Sequence, residues 1–127
     1  MKSDLGTGFN IAKALKAASR SAGTYPTASI DHSAGETGLF IVNAGSVGTS
    51  LNAVLQYSDD DSDWTNVSAA DSDGGNDTAI TELTDEGVQT VNIPNPLGRY
   101  SRLMCTASGT CVFAVDYLVG PLRSVSP

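Results

Sequence analysis

The feature that most constrains this chain is a series of apolar residues at every second position in its central part. These alternating residues are Phe40 and Val42, followed by Leu51, Ala53, Leu55 and Tyr57. Successive side chains of a strand point to opposite sides, so this period is that of a strand with one buried face. Small and polar residues at 45–50 and acidic residues at 58–63 provide turn chemistry after each run. Residues 37–67 therefore predict two successive strands and the start of a third.

The rest of the 127-residue chain repeats this pattern of short apolar runs and turn residues. Further strands are predicted at 30–32, 64–69, 78–83, 88–93, 99–106 and 110–119. Because aromatic residues make up only 6% of the chain, a core must come mainly from Val, Ile, Leu and Ala. Roughly seven or eight short strands, about one per ten residues, predict a single all-β domain, an antiparallel and jelly-roll-like β-sandwich.

The last two predicted strands are interpreted as a long hairpin around the turn at 107–109. Pairing across a loop of this length would place Cys105 opposite Cys111 on one face of the sheet. A cross-strand disulfide is then geometrically feasible. Because the sequence has no secretion signal, the prediction is instead two small, buried, reduced cysteines.

The two ends of the chain are predicted to lie outside the sandwich. Residues 1–22 carry Phe9, Ala12, Leu15 and Ala18 at spacings of three, which fit a short amphipathic helix. An isolated helix of about 12 residues is marginal in water, so an extended arm that orders on a partner is the alternative. The predicted organisation is an N-terminal arm over 1–30, helical or extended, a β-sandwich over 31–120 and a C-terminal tail over 121–127.

The net charge of the chain is −7, and it is unevenly distributed. No Lys or Arg occurs between Ser21 and Gly98, and that span holds twelve of the fourteen carboxylates. A protein that neutralises several phosphates needs a clustered basic face, so this layout argues against nucleic acid as a partner. The acidic middle is interpreted as a solvated surface.

No apolar run approaches the roughly 20 residues that cross a membrane, and the N-terminus lacks the apolar segment of a signal peptide. We therefore expect no membrane partner, and a chain that is made and kept in the host cytosol or in a particle assembled there.

The residues that could carry chemistry are few. The single histidine, His32, lies in a Ser- and Asp-rich connection, where an exposed turn residue is the ordinary interpretation. A hydrolytic triad would also need a serine on a glycine-flanked elbow, and the sequence has none. We therefore predict no catalytic residues, no cofactor and no enzymatic activity.

Two acidic segments could in principle hold calcium. Asp71, Asp73 and Asp77 alternate along the chain, but Gly75 takes the fifth position, where the calcium loop needs a side-chain oxygen, so the helix-loop-helix pattern fails. Residues 59–63 are equally acidic and equally unspecific. Both segments are interpreted as solvated turns, and no metal site is predicted. Trp64 is interpreted as plain packing in the core or at its rim.

Four short motifs give the sequence a family resemblance. They are Phe-Ile-Val-Asn-Ala-Gly-Ser-Val-Gly at 40–48, Leu-Gln-Tyr-Ser-Asp-Asp-Asp-Ser-Asp-Trp-Thr-Asn-Val at 55–67, Leu-Gly-Arg-Tyr-Ser-Arg-Leu at 97–103 and Val-Gly-Pro-Leu-Arg-Ser-Val at 119–125. In order and spacing over residues 37–127, the chain resembles small β-sandwich head proteins of tailed bacteriophages, of the capsid cement or decoration type.

This resemblance implies a virion structural protein on the outer face of the capsid. It implies a homo-oligomer, often a trimer, whose partner is the major capsid protein and which is assembled in the host cytoplasm. It does not cover the N-terminal 30 residues. Two alternatives remain open: a recognition module at a tail or fibre that binds host glycan through the loops at 58–63 and 71–77, and a ring subunit of the tail tube or connector.

Overall fold

The structure, a computed structural model, describes residues 10–33, 37–68 and 76–120. These residues form strands and connections, with no helix among them. The strands are β1 Asn10–Arg20, β2 Gly23–Pro26, β3 Ile30–Asp31, β4 Thr37–Ser46, β5 Ser50–Ser58, β6 Thr65–Asn66, β7 Gly87–Ile93, β8 Tyr100–Ser108 and β9 Cys111–Gly120. The all-β class predicted from the alternation is confirmed.

The strands form two antiparallel sheets. Sheet A has the order β1-β9-β4-β7, and sheet B has the order β2-β8-β5-β6, with β3 also pairing with β8. Residues 78–83 lie along β5 as well, through isolated bridges from Ala79 to Val54 and from Leu83 to Leu51. Because β3 pairs with β8 on the side away from β5, the edge strand predicted at 30–32 is confirmed.

Four connections at one end of the sandwich carry the chain between the sheets. They join β1 to β2, β4 to β5, the 78–83 segment to β7, and β8 to β9. Each strand of sheet A is thereby joined to a segment of sheet B, and the joined partners follow the same order across the two sheets. This is the connectivity of a jelly roll.

The core lies between the sheets and is built from alternate residues of the longer strands. Its largest fully buried side chains are Tyr117, Phe40, Phe113, Leu51, Leu55, Ile93 and Leu103. Burying a side chain of the Leu or Phe size contributes about 1.5–3 kcal/mol. Of the alternating residues in the central stretch, only Tyr57 is half-buried rather than buried.

The helix considered for the N-terminal segment is wrong for residues 10–20, which form β1 against β9. The ladder slips twice, between Lys13 and Leu15 and between Leu15 and Ala18, and each slip adds one residue to β1 relative to β9. At each bulge the extra residue increases the spacing between β1 side chains on the same side of the sheet from two residues to three. Leu15 and Ala18, three residues apart, therefore pair with residues two apart, and this spacing resembles that of a helix.

The side chain of Arg20 holds the irregular part of β1 together. Its Nη1 donates to the carbonyl oxygens of Phe113 and Ala18 at 2.8 and 3.3 Å, and its Nη2 donates to that of Lys16 at 2.6 Å. The guanidinium also lies 4.9 Å from the centroid of the Phe113 ring. It replaces ladder bonds that a regular strand would have made.

The predicted boundary of the sandwich at residue 31 moves toward the N-terminus, because β1 and β2 belong to the two sheets. What remains of the predicted arm before β1, residues 1–9, and the predicted tail, residues 121–127, lie outside the described residues.

The predicted hairpin of the last two strands is wrong. β8 lies in sheet B and β9 lies in sheet A, so their connection crosses the sandwich. Alternation shows which side of a strand is buried, but it does not show which strand lies next to it in the sheet. Two strands that face each other across the core have the same alternating pattern as two strands that are paired in one sheet. The strand predicted at 78–83 is reduced to two isolated bridges with β5, because four residue steps along this segment match three along β5.

The two central crossings, at 47–49 and 109–110, are in backbone contact. The N–H of Thr49 donates to the carbonyl of Ser108 at 2.8 Å, and Gly109 has a φ of 79°. A Cβ on Gly48 would lie 2.7 Å from the nitrogen and 2.8 Å from the oxygen of Thr110. Only a glycine at 48 allows this approach.

We predict that Gly48→Ala lowers the free energy of unfolding by about 1–3 kcal/mol, because backbone atoms of Thr110 cannot rotate away from the added methyl. The matched control is Gly45→Ala, whose added Cβ would have its nearest neighbour at 3.8 Å. The control should stay within about 0.5 kcal/mol of wild type. Urea unfolding measures both, and equal losses in the two variants would contradict the close contact of the crossings.

Candidate interaction surface

His32 follows β3 and is buried, only 7% exposed. Its Nε2 lies 2.9 Å from Oγ of Ser101, which is 2% exposed, and its ring meets that of Tyr117 edge-on. The prediction of an exposed turn histidine is wrong, because pairing of β3 with β8 draws the next residue inward. Serine and histidine at this distance resemble a nucleophile and its base, but their burial closes them to a substrate. The pair holds β3 against β8.

Asp31 and Arg99 form a surface ion pair beside this contact. Arg99 donates from Nε and Nη2 to the two carboxylate oxygens of Asp31 at 3.2 and 3.1 Å. The N–H of Ser33 donates to the same carboxylate at 2.9 Å. The bonds from Arg99, and then the one from Ser33, hold the pKa of Asp31 well below its usual range.

The acidic residues at 58–63 form a self-capped turn. Oδ1 of Asp60 accepts hydrogen bonds from Oγ of Ser58 and from the N–H groups of Ser62 and Asp63, each at 2.9 Å. The N–H of Asp63 makes the largest contribution to lowering the pKa of Asp60. Asp61 has a φ of 62°, a conformation that Asp tolerates. Oδ1 of Asp60 therefore accepts its hydrogen bonds from within the turn.

The second acidic segment lies mainly outside the described residues, which include neither Asp71 nor Asp73. Asp77 is described: its Oδ2 accepts from the N–H of Asn92 at 2.9 Å at the end of β7. Within the described ranges, no group of three or more His, Cys, Asp or Glu side chains could hold a metal ion.

Cys105 and Cys111 are fully buried and free. They lie on β8 and β9 in opposite sheets, so they do not form the cross-strand pair that a hairpin would have given. Burial raises the pKa of the Cys105 thiol to about 12.

The outer face of sheet B carries a preordered polar row around Trp64. Nε2 of Gln56 donates to Oδ1 of Asn66 at 2.9 Å, and Nε of Arg102 donates to Oε1 of Gln56 at 2.8 Å. The guanidinium of Arg102 lies 4.2 Å from the centroid of the Trp64 ring, a cation–π contact. Trp64 is half-buried, so it belongs to the rim of the domain.

The outer face of sheet A combines apolar side chains with the exposed polar residues Asn43, Thr90 and Asn92. Its apolar side chains are Leu39, Ile41, Val88, Val112, Ala114 and Leu118. Val88 is 56% exposed and Val112 is 39% exposed. Asp116 on β9 and Lys13 on β1 are paired charged residues on this face, with Oδ1 of Asp116 4.0 Å from Nζ of Lys13.

Sequence reasoning missed both outer faces, although one signal for sheet A was present. Residues 39–42 and 112–115 are apolar at every position, which is the pattern of a strand with apolar groups on both faces. The row on sheet B left no such signal, because Arg102 is 38 residues from Trp64 in the sequence and only the folded sheet brings them together.

No family model, no curated protein and no solved structure matches this chain. In the part of the chain that the structure covers, we find no helix long and apolar enough to cross a membrane.

The buried thiols give a direct test of the core. At pH 8 a thiol with a pKa of about 12 is roughly 1 in 10,000 thiolate, so Cys105 should not react with a thiol reagent in the native state. We expect no labelling of the native chain and two labelled thiols per chain in guanidinium. Native labelling would contradict the burial, and fewer than two labelled thiols in denaturant would indicate a disulfide.

The Asp31–Arg99 pair should make stability depend on pH in the acid range. Because the folded-state pKa of Asp31 is depressed, its contribution is fully present above the unfolded pKa and is lost as the pH falls through the folded pKa. We predict a coupling between Asp31→Asn and Arg99→Gln in a double-mutant cycle that is constant from pH 5 to pH 8 and shrinks below about pH 4. A coupling that grows on acidification would contradict the pair.

Proposed function

We propose that this chain is a non-enzymatic virion structural protein, a capsid cement or decoration protein that binds the outer surface of a phage head. The observation that carries the proposal is the row on sheet B, where Gln56 holds Arg102 over Trp64. Side chains that are fixed before binding lose little entropy on binding, and Trp and Arg dominate interface energies. Such a face suits a protein whose role is contact rather than chemistry.

A shell filled with DNA is under outward pressure, and a small domain that spans neighbouring shell subunits resists it by adding buried area at their junction. The partners in this proposal are the major capsid protein and further copies of this chain. The family resemblance implies a trimer. The buried Ser101–His32 pair supports a structural role for the groups that resemble catalytic parts.

One observation favours the recognition module at a tail or fibre. A shallow cavity of about 220 Å³ is lined by Tyr57, Ser58, Asp59, Asp60, Asp63 and Thr65. Hydroxyl and carboxylate groups beside an aromatic ring are the groups that bind sugars. Binding of host glycan by the isolated chain would favour this second candidate.

The copy number of the chain in purified virions separates these functions. Quantitative mass spectrometry against the major capsid protein should give hundreds of copies in a simple ratio to the shell. A handful of copies in multiples of three would favour a tail or fibre. Copies in multiples of six or twelve would favour a tail-tube or connector ring. Absence from virions would overturn the proposal.

We predict that Arg102→Ala and Trp64→Ala each weaken binding to shells prepared without the chain by at least about tenfold, because each removes half of the stacked pair. Thr106→Ala, an exposed change on β8 of the same sheet, is the matched control and should bind like wild type. Cosedimentation with shells measures the affinity, and circular dichroism checks folding. Wild-type affinity of the Arg102 variant would assign shell binding to another face.

A further inference from the structure

The outer face of sheet A has a raised apolar residue and an apolar hollow next to each other. Val88 on β7 stands 56% exposed and pairs with Asn43 on β4. A hollow of about 210 Å³ lies on the other side of Asn43, lined also by Ala17, Gly45, Val112, Phe113 and Ala114. A face with an exposed projection and a hollow is suited to a partner with the same two features.

The two edges of this sheet carry opposite charge. β1, at one edge, carries Lys13, Lys16 and Arg20 and no carboxylate. The opposite edge is β7, which is entered through Asp85 and Glu86, and residues 76–93 contain no Lys or Arg. Asp85 and Glu86 are exposed, and so is Lys16.

Lys16, Asp85 and Glu86 each lie within two residues of one row that crosses sheet A. The register aligns Ala18 of β1 with Phe113, Phe113 with Ala44, and Ala44 with Gly87 of β7 in one row across sheet A. Lys16 and Arg20 flank one end of this row, and Asp85 and Glu86 precede the residue at its other end.

We infer that the outer face of sheet A is a self-association surface, which packs on the same face of a second copy about a two-fold axis parallel to the strands. This axis lays β1 of each copy over β7 of its partner without shifting either along the strand direction. Lys16 of each copy then faces Asp85 and Glu86 of its partner, so this contact occurs twice in each dimer. Val88 is carried toward the partner's hollow at Ala17.

Charge selects this axis over its alternative. A two-fold axis in the same plane but perpendicular to the strands would lay β1 over β1 and β7 over β7, so like charges would face each other. Two sheets packed in an aligned way are a common arrangement, with their mean planes about 10 Å apart. Charge complementarity and the exposed apolar side chains of the face therefore specify a second copy as the occupant.

The face is large enough for a specific contact. Four strands about 4.8 Å apart, each about eight residues long at 3.3 Å per residue, cover roughly 500 Å². Two such faces bury about 1,000 Å² in total, the lower bound for a specific interface. We therefore expect a reversible dimer, whose formation does not depend on the proposed capsid role.

The test is sedimentation equilibrium of the full chain and its variants. Wild type should form a dimer whose dissociation constant rises with salt. Val88→Ser should raise that constant at least about tenfold, because it removes the apolar projection. Val54→Ser, a half-buried valine on the outer face of sheet B, is the matched control and should leave the dimer unchanged. Urea midpoints check that both variants fold.

Charge reversal tests the axis itself. Lys16→Glu and Glu86→Lys should each weaken the dimer about tenfold or more, because two contacts become repulsive. The double variant should recover. An equal mixture of the two single variants should also recover, because in the mixed dimer one contact has both charges reversed and the other has neither reversed.

A monomer at every concentration would overturn the inference, as would a dimer that the Val88 and charge variants do not weaken. A trimer would also overturn it, while agreeing with the assembly that the family resemblance implies. Recovery in the double variant without recovery in the mixture would overturn the two-fold geometry.

Discussion

The sandwich depends on the contact between its two central crossings. The chain passes from sheet A to sheet B at 47–49 and back at 109–110, and these segments touch through backbone atoms at Gly48 and Thr110. Because the crossings are adjacent, β4 and β9 are neighbours in one sheet and β5 and β8 are neighbours in the other. The β4–β9 and β5–β8 ladders therefore end at the same side of the molecule. The core is closed there by the two crossings, whose close approach requires glycine at position 48.

Much of this fold follows from the sequence, and the failures have physical causes. The sequence correctly predicted strands at the positions of β4, β5, β7, β8 and β9, because burial of one strand face imposes a period of two. It could not identify neighbours, so β8 and β9 were interpreted as a hairpin although they face each other across the core. The sequence did not predict β1, because its two slips convert the strand period into a spacing near that of a helix. The bond from Arg20 to the carbonyl of Phe113, which ties this irregular part to β9, is long-range.

The candidate surfaces were less predictable than the fold. The burial of His32 depends on its contact with Ser101, which forms only after β3 pairs with β8. The stacking of Arg102 on Trp64 depends on the pairing of β8 with β5 and of β5 with β6. Only the apolar side chains on the outer face of sheet A had a local signature, since 39–42 and 112–115 lack the polar residues that a solvated face would have.

The outer faces of the two sheets differ in how their exposed side chains are stabilised. On sheet B the polar side chains of Gln56, Asn66 and Arg102 satisfy one another, so this row is ordered before any partner binds. On sheet A, Val88 and Val112 are exposed apolar side chains, and their contact with water is unfavourable until another surface covers them. β1 cannot recruit a further strand easily, because its bulges and lysines disfavour edge pairing. A second copy therefore associates with the outer face of sheet A rather than with its edge. The opposite charges at the two edges of this sheet determine how the second copy is oriented. The outer face of sheet B remains available to a different partner.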